Sequence, residues 1–173
     1  MALLEKYLFT KKSTLPGAGK GLFTKAFIPK GTRIVEYKGE ILTWKEVEKM
    51  PDHRNGYVFY FTLKHVIDAW KTTRSVAHYA NDARGISRVP EIRNNADYVT
   101  EGKRCFIEAL RDLPAGTEIL VDYGKEYWQV IRSNIREEQT KARKAGRANV
   151  HIAPLPHHKV ARRTANKVVQ EVS

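Results

Sequence analysis

The sequence predicts a mainly β domain of small sheets, with short helices and one longer C-terminal helix. Through the first 125 residues, Gly, Pro and Asn interrupt the chain at short intervals. Between them lie short runs rich in β-branched and aromatic residues, which are typical of strands. These runs are Arg33–Tyr37, 57–63, 65–69, Arg104–Ala109 and 118–121. After Gly124 the pattern changes, because neither Gly nor Pro occurs in residues 126–145.

Two segments are predicted to be helical. Thr43 and Glu46 form a capping-box pattern, which predicts a short helix that Pro51 stops. Residues 126–145 form the second segment, a basic amphipathic helix for which Gly146 is a suitable C-cap. Its apolar stripe is expected to pack on the β domain, and it contains Trp128, Ile131 and Ile135. A last short element is predicted at Val168, Val169 and Val172.

Composition and charge limit the class of protein. The chain has 173 residues, of which 42% are apolar, enough for one domain with its own core. The net charge is +12, and residues 129–173 hold 10 basic and 3 acidic residues. This basic tail could follow nucleic acid, an acidic protein surface or anionic lipid. A solvated tail with no partner explains the same charges equally well.

Several classes of protein are excluded by what the sequence lacks. Cys105 is the single cysteine, which excludes an internal disulfide framework and a cysteine-based zinc cluster. There is no apolar run long enough for a transmembrane helix. Glu5 and Lys6 interrupt the apolar N-terminus, so a signal peptide is not expected. We therefore expect a soluble intracellular protein, in the nucleus or the cytoplasm.

Two features point to chemistry, although each also has a purely structural explanation. Three glycines within residues 17–21 let the backbone approach a ligand closely, but a plain tight turn would need the same residues. The segment lacks the spacing and the terminal Lys-Ser/Thr of a Walker loop. Tyr37, Tyr98 and Tyr123 each lie beside a turn glycine or asparagine. Their hydroxyls could line a narrow polar slot, or could simply be paired in the core.

The order of the motifs along the chain is more informative than any one of them. The glycine-rich segment is followed by Glu36-Tyr37-Lys38-Gly39, then by Ala77-His78-Tyr79-Ala80-Asn81-Asp82, and finally by Leu120-Val121-Asp122-Tyr123-Gly124. Taken together, residues 8–128 resemble a SET domain, the family of protein lysine methyltransferases. Residues 129–173 would then be a basic C-terminal helix and tail.

The resemblance implies a β-clip fold with a knot-like C-terminal segment. It also implies that S-adenosylmethionine binds on one face, a lysine-containing peptide binds on the other, and a narrow channel joins them. Tyr123 would be the catalytic tyrosine, and Tyr37 and Tyr98 would line the lysine channel. The residues implied to bind the cofactor are Ala18, Gly19, Lys20, Gly21, Tyr79, Asn81, Asp82 and Trp128. Methyl transfer to an amine needs alignment of the reacting atoms and no metal.

The family pattern also leaves questions open. After the asparagine the family usually has histidine, whereas this chain has Asp82. A backbone contact at that position would survive the change, but a side-chain contact would not. A histone tail or another basic protein is the expected substrate, and a homodimer stays open. The alternative function is a non-catalytic module that binds basic peptides or nucleic acid, with the tail as the nucleic-acid contact.

Overall fold

A computed structural model describes residues 3–50, 57–72, 75–85, 88–144 and 159–160. The described chain folds into three small sheets and one long helix, which confirms the mainly β fold with a C-terminal helix. Within these residues, no helix combines the length and the apolar character needed to span a membrane.

The strands are β1 (Leu8–Lys12), β2 (Lys20–Thr24), β3 (Arg33–Tyr37), β4 (Glu40–Leu42), β5 (Val58–Thr62), β6 (His65–Asp68), β7 (Ala96–Glu101), β8 (Arg104–Ala109), β9 (Glu118–Ile119) and β10 (Lys159–Val160). The sheet orders are β1-β2-β9, β10-β5-β6-β4 and β3-β8-β7. All neighbours in these sheets are antiparallel except β10 and β5, which are parallel. The helices are α1 (Trp44–Val47) and α2 (Lys125–Lys144).

All five strand predictions are confirmed, with shifts at the ends. The largest shift is at 118–121, where β9 stops at Ile119. The ladder with β2 ends at Ile119 because the backbone of Leu120 forms hydrogen bonds with Asn95 instead. Its N–H donates to Asn95 Oδ1 at 2.9 Å, and its carbonyl accepts from the N–H groups of Asn95 and Ala96 at 2.9 and 3.0 Å.

Both helix predictions are also confirmed. At the start of α1, the backbone N–H of Thr43 donates to Glu46 Oε2 at 2.7 Å, as the capping box requires. In α2, Trp128 and Ile131 are buried in the main core, so the helix packs against the β domain through its apolar stripe. Pro51, Gly146 and the valines at 168, 169 and 172 lie outside the described residues.

The segment that follows β9 is held between two loops. On one side, Asn81 forms a parallel bridge with Leu120, and its carbonyl accepts the N–H of Val121 at 2.8 Å. On the other side, Asn95 binds both polar groups of the Leu120 backbone. Residues 120–123 therefore lie between the two ends of the 81–95 segment. This arrangement places Tyr123 in the interior, where it is 2% exposed.

Candidate active site

Tyr37 and Tyr98 lie on the same buried face of one sheet. Tyr37, on β3, is opposite Cys105 of β8, and Tyr98, on β7, is opposite Ile107 of the same strand. Cys105 and Ile107 are two residues apart, so their side chains project from one face. The centroids of the two tyrosine rings are therefore 6.1 Å apart, with an edge-to-face angle of 84°.

Strand β5 and the residue before it add aromatic residues that are absent from the predicted site. The ring of Phe59 lies 5.7 Å from that of Tyr37 and 5.2 Å from that of Tyr98. The Tyr57 carbonyl accepts a hydrogen bond from Tyr37 Oη at 2.9 Å. Tyr57, Phe59 and Phe61 alternate along the sequence, so they share one face of an extended chain. That period of two was the signal in the sequence that could have identified them.

The hydroxyl of Tyr98 is a buried polar group. Among the described residues, Tyr98 Oη makes no hydrogen bond, although the atom is shielded from solvent. An unpaired buried donor or acceptor costs about 1–3 kcal/mol, so such groups are uncommon in native proteins. A tyrosine hydroxyl can donate one hydrogen bond and can accept others. The site can therefore receive a polar ligand group, such as an amine, next to three aromatic rings.

Tyr123 is fixed at both of its polar ends by residues 80–82. Its Oη donates to the carbonyl oxygen of Ala80 at 2.7 Å, and its backbone N–H donates to Asp82 Oδ2 at 2.9 Å. The Trp128 ring is stacked on the Tyr123 ring, with a distance of 6.2 Å between the ring centroids and an interplanar angle of 11°. The hydroxyl proton is thereby directed to Ala80, so the orientation of the hydroxyl is fixed.

The three predicted site tyrosines share one electrostatic environment. Burial raises the pKa of Tyr37, Tyr98 and Tyr123 well above the usual value for tyrosine. Tyr123 and Tyr37 also raise the pKa of Tyr98, and Tyr37 raises that of Tyr123, because an ionised hydroxyl would be repelled by its neighbours. The three hydroxyls are therefore neutral at physiological pH.

Alkaline titration should show that these tyrosines ionise only when the domain unfolds. A buried tyrosine with a raised folded-state pKa contributes fully to the free energy of unfolding below its unfolded-state pKa of about 10. That contribution is lost as the pH rises from about 10 through the folded-state pKa. We expect the buried fraction of the eight tyrosines to ionise together with the loss of far-ultraviolet circular dichroism. Tyrosinate absorbance and circular dichroism recorded in one titration test this. Ionisation of all eight before unfolding would contradict the burial.

Asp82 and Trp128 are joined to each other and to Tyr123. The Asp82 carboxylate is 2% exposed, and its Oδ2 accepts from Trp128 Nε1–H at 2.8 Å as well as from Tyr123. Its Oδ1 accepts from the backbone N–H of Arg84 at 2.8 Å and from Asn94 Nδ2 at 2.9 Å. Each oxygen of this carboxylate, which replaces the family histidine, therefore accepts two hydrogen bonds from within the protein.

Glu118 connects the glycine-rich segment to Asn81, and it was not among the predicted site residues. Its Oε1 accepts from Ser13 Oγ at 2.6 Å and from Asn81 Nδ2 at 3.4 Å. Its Oε2 accepts from the N–H and the hydroxyl of Thr14 at 2.8 and 2.5 Å. Asn81 Nδ2 also donates to the Lys20 carbonyl at 3.0 Å. Two predicted cofactor residues, Lys20 and Asn81, are thus brought into direct contact.

Gly21 is required where the chain passes Glu118. A Cβ atom at this position would lie 2.1 Å from Glu118 Oε1, so any larger residue would displace the carboxylate. The sequence predicts residues 16–21 to be a turn or loop, and this is wrong for Lys20 and Gly21, which belong to β2. They pair with Lys12 and Lys11 of β1, because a short hairpin begins as soon as the turn ends.

The turn itself borders an open surface pocket. Gly17 and Gly19 have φ angles of +75° and +68°, which L-residues with side chains rarely adopt. The Gly19 carbonyl accepts the Ser13 N–H at 2.8 Å and closes the turn. The volume of this pocket is about 770 Å³, within the range of small-molecule sites. It is lined by Lys12, Ser13, Thr14, Leu15, Pro16, Gly17, Gly19 and Lys20.

Ala18 and Tyr79 connect this region to the tyrosine cluster. Ala18 packs on a small apolar cluster of Leu15, Ala83 and Leu120, so the turn is anchored to the segment after β9. Tyr79 ends a single 3₁₀ turn over Ala77–Tyr79, which directly precedes the Ala80 carbonyl that Tyr123 binds. Residues 80–82 therefore contact both Lys20, at the end of the glycine-rich turn, and Tyr123.

The fold and the site define a class of protein: a small β domain in which residues 80–82 connect a glycine-rich turn to a cluster of tyrosines. Residues 19–124 match the family described as the SET domain, and the chain belongs to that family. One similar protein is the histone-lysine N-methyltransferase EZH2 of Chaetomium thermophilum, which is 29% identical over 143 residues. The match covers 76% of this chain but spans only 9% of that relative's length.

Proposed function

We propose that this chain is a protein-lysine N-methyltransferase that uses S-adenosylmethionine. The observation that carries the proposal is the Tyr98 hydroxyl, which has no hydrogen-bond partner in the described part of the chain and lies on a ring next to those of Tyr37 and Phe59. Aromatic walls with one unpaired polar atom suit a lysine side chain, which has an apolar stem and a terminal amine. Membership of the SET domain family and the name of the similar protein support the same activity.

The proposed cofactor site lies between the glycine-rich turn and residues 79–82. The exposed Gly19 and the adjacent Ala18, Lys20 and Gly21 would contact the cofactor on one side. Tyr79 and Asn81 would contact it on the other, and the contact between Lys20 and Asn81 supports a single continuous site. When bound, S-adenosylmethionine supplies a methyl group activated by a sulfonium sulfur.

Tyr123 is proposed to act on the transferring group through its hydroxyl oxygen. The hydrogen bond to the Ala80 carbonyl fixes the orientation of this hydroxyl, and its electronegative oxygen would stabilise partial positive charge on the transferring methyl group. The hydroxyl does not serve as a base, because its raised pKa keeps it neutral and makes its proton hard to remove. Its contribution is therefore electrostatic and geometric.

The pocket also favours the reactive form of the substrate. A lysine amine has a pKa of about 10.4 in water, so the neutral form that can attack is rare at pH 7. Burial between Tyr37, Phe59 and Tyr98 disfavours the charged ammonium and lowers the pKa of the amine. The amine then loses its proton to solvent before transfer, and Tyr98 Oη can hold it by a hydrogen bond.

The substrate class that we propose is a histone tail or another basic protein, which would place the activity on chromatin or on lysine-rich proteins. The test is transfer of labelled methyl from S-adenosylmethionine to core histones and to a lysine-rich protein mixture. We expect label on untreated protein and a loss of label after chemical acetylation of the lysines. Absence of label, or label that acetylation leaves unchanged, would contradict a lysine methyltransferase.

The alternative is a module that binds basic peptides or nucleic acid without catalysis. The observation that favours it is the net charge of +12, more than half of which comes from the 10 basic and 3 acidic residues of 129–173. Salt dependence separates the two functions, because affinity for nucleic acid falls steeply as salt rises. DNA binding with such a slope, together with no calorimetric binding of S-adenosylmethionine, would favour the binding module over the enzyme.

A further inference from the structure

We infer that Asp82 and Trp128 are positioning residues for Tyr123 rather than cofactor contacts. The inference rests on the proposed function, since it assigns these side chains a part in methyl transfer. One oxygen atom, Asp82 Oδ2, accepts both the Tyr123 backbone N–H at 2.9 Å and the Trp128 indole N–H at 2.8 Å. The orientation of helix α2 and that of the tyrosine are therefore coupled through a single atom.

Only a carboxylate satisfies the groups that surround position 82. Among the described residues, the Asp82 carboxylate accepts hydrogen bonds from four N–H donors, of Arg84, Asn94, Tyr123 and Trp128. An asparagine would turn an NH₂ group toward some of them, so at least one contact would become donor against donor. The Arg84 guanidinium is directed elsewhere, to Asp122 Oδ2 at 2.9 Å. The carboxylate is thus held by neutral donors.

Trp128 has little surface left for a cofactor. Its side chain lies in the main core, the residue is 3% exposed, and its one polar atom is taken by Asp82. One ring face is stacked on Tyr123, and Tyr127 lies edge-on at 4.8 Å. With the bond from Tyr123 Oη to Ala80, the tyrosine is restrained at its backbone, its ring and its hydroxyl. We therefore assign to α2 a direct part in shaping the active site.

The inference predicts that substitutions of Asp82 and Trp128 change kcat but not the Kd for the cofactor. If Asp82 and Trp128 only position Tyr123, their substitution leaves the cofactor site intact and misplaces the catalytic hydroxyl. Small displacements of a catalytic group lower the rate strongly without weakening binding. If the side chains instead contacted the cofactor, as the resemblance implies, their loss would weaken binding first.

The test uses the full chain with Trp128→Phe and Asp82→Asn, and Trp44→Phe as the matched control. Trp44 stacks edge-on against Tyr60 in a separate apolar cluster, so its substitution removes an indole away from the site. Calorimetry gives the Kd for S-adenosylmethionine and the number of binding sites. Turnover is then expressed per binding site, so that any unfolded fraction drops out of kcat.

We expect kcat to fall roughly tenfold to a hundredfold in both site variants, with Kd within about threefold of wild type. Trp44→Phe should match wild type in both quantities. A rise in Kd of about tenfold or more would assign the side chains to the cofactor and overturn the inference, as would an unchanged kcat. Absence of transfer by the wild type would instead overturn the proposed function, and this inference with it.

Discussion

The Tyr123→Phe variant is expected to lose methyl transfer by roughly a hundredfold or more in kcat, the effect typical of removing one preorganised polar group from a reacting centre. Phenylalanine keeps the ring that packs against Trp128 and Tyr127, so the fold should persist. The substitution removes the hydrogen bond from Tyr123 to the Ala80 carbonyl, which should cost only about 1–3 kcal/mol of stability. Transfer of labelled methyl at saturating cofactor and substrate measures the effect.

Tyr60→Phe is the matched control for this variant. Tyr60 is also buried, but it packs in the separate cluster with Val47, Val58 and Val66. Its substitution should leave kcat unchanged. If Tyr123→Phe retained kcat within about threefold of wild type, the catalytic role of the hydroxyl would be wrong even if the chain were an active methyltransferase.

Glu118→Ala should have the largest effect on stability. The substitution leaves the donors of Ser13, Thr14 and Asn81 without their shared acceptor in a buried site. One such group costs about 1–3 kcal/mol, so we expect the free energy of unfolding to fall by about 3 kcal/mol or more. Urea denaturation measures the change. The Kd for S-adenosylmethionine should also rise, because the same bonds hold the glycine-rich turn against Asn81.

Glu101→Ala provides the comparison for Glu118. Glu101 forms an ion pair with Arg33, but its side chain is 64% exposed. Exposed ion pairs contribute about 0–1 kcal/mol, so this variant should unfold at nearly the same urea concentration as wild type. Equal losses of stability in the two variants would show that the Glu118 network does not hold the turn in place.

The parts of the fold that could be predicted are those encoded in local runs. Strands β3 and β8 coincide with the predicted runs because β-branched and aromatic residues are continuous there. Strand β1 was missed, since Leu8–Lys12 ends in two lysines and becomes a strand only by pairing with β2. Strand β7 directly follows a pair of asparagines, which by themselves favour a loop.

The site was predictable in its residue types but not in its connections. Tyr37, Tyr98 and Tyr123 could be singled out in the sequence, yet only the register of β3 and β7 on β8 brings the first two together. Asp82 and Glu118 resemble surface acids in sequence. Their burial depends on donors 46 and 105 residues away, at Trp128 and Ser13, and no local pattern encodes those contacts.

Mass spectrometry of a histone substrate after incubation with the wild-type chain and S-adenosylmethionine tests the central claim most directly. The proposed function predicts the added mass of methyl groups, localised by fragmentation to the side-chain nitrogen of a lysine. It also predicts no such addition with Tyr123→Phe over the same time. An unmodified substrate in the presence of calorimetrically bound cofactor, or methyl groups on another type of residue, would contradict the account.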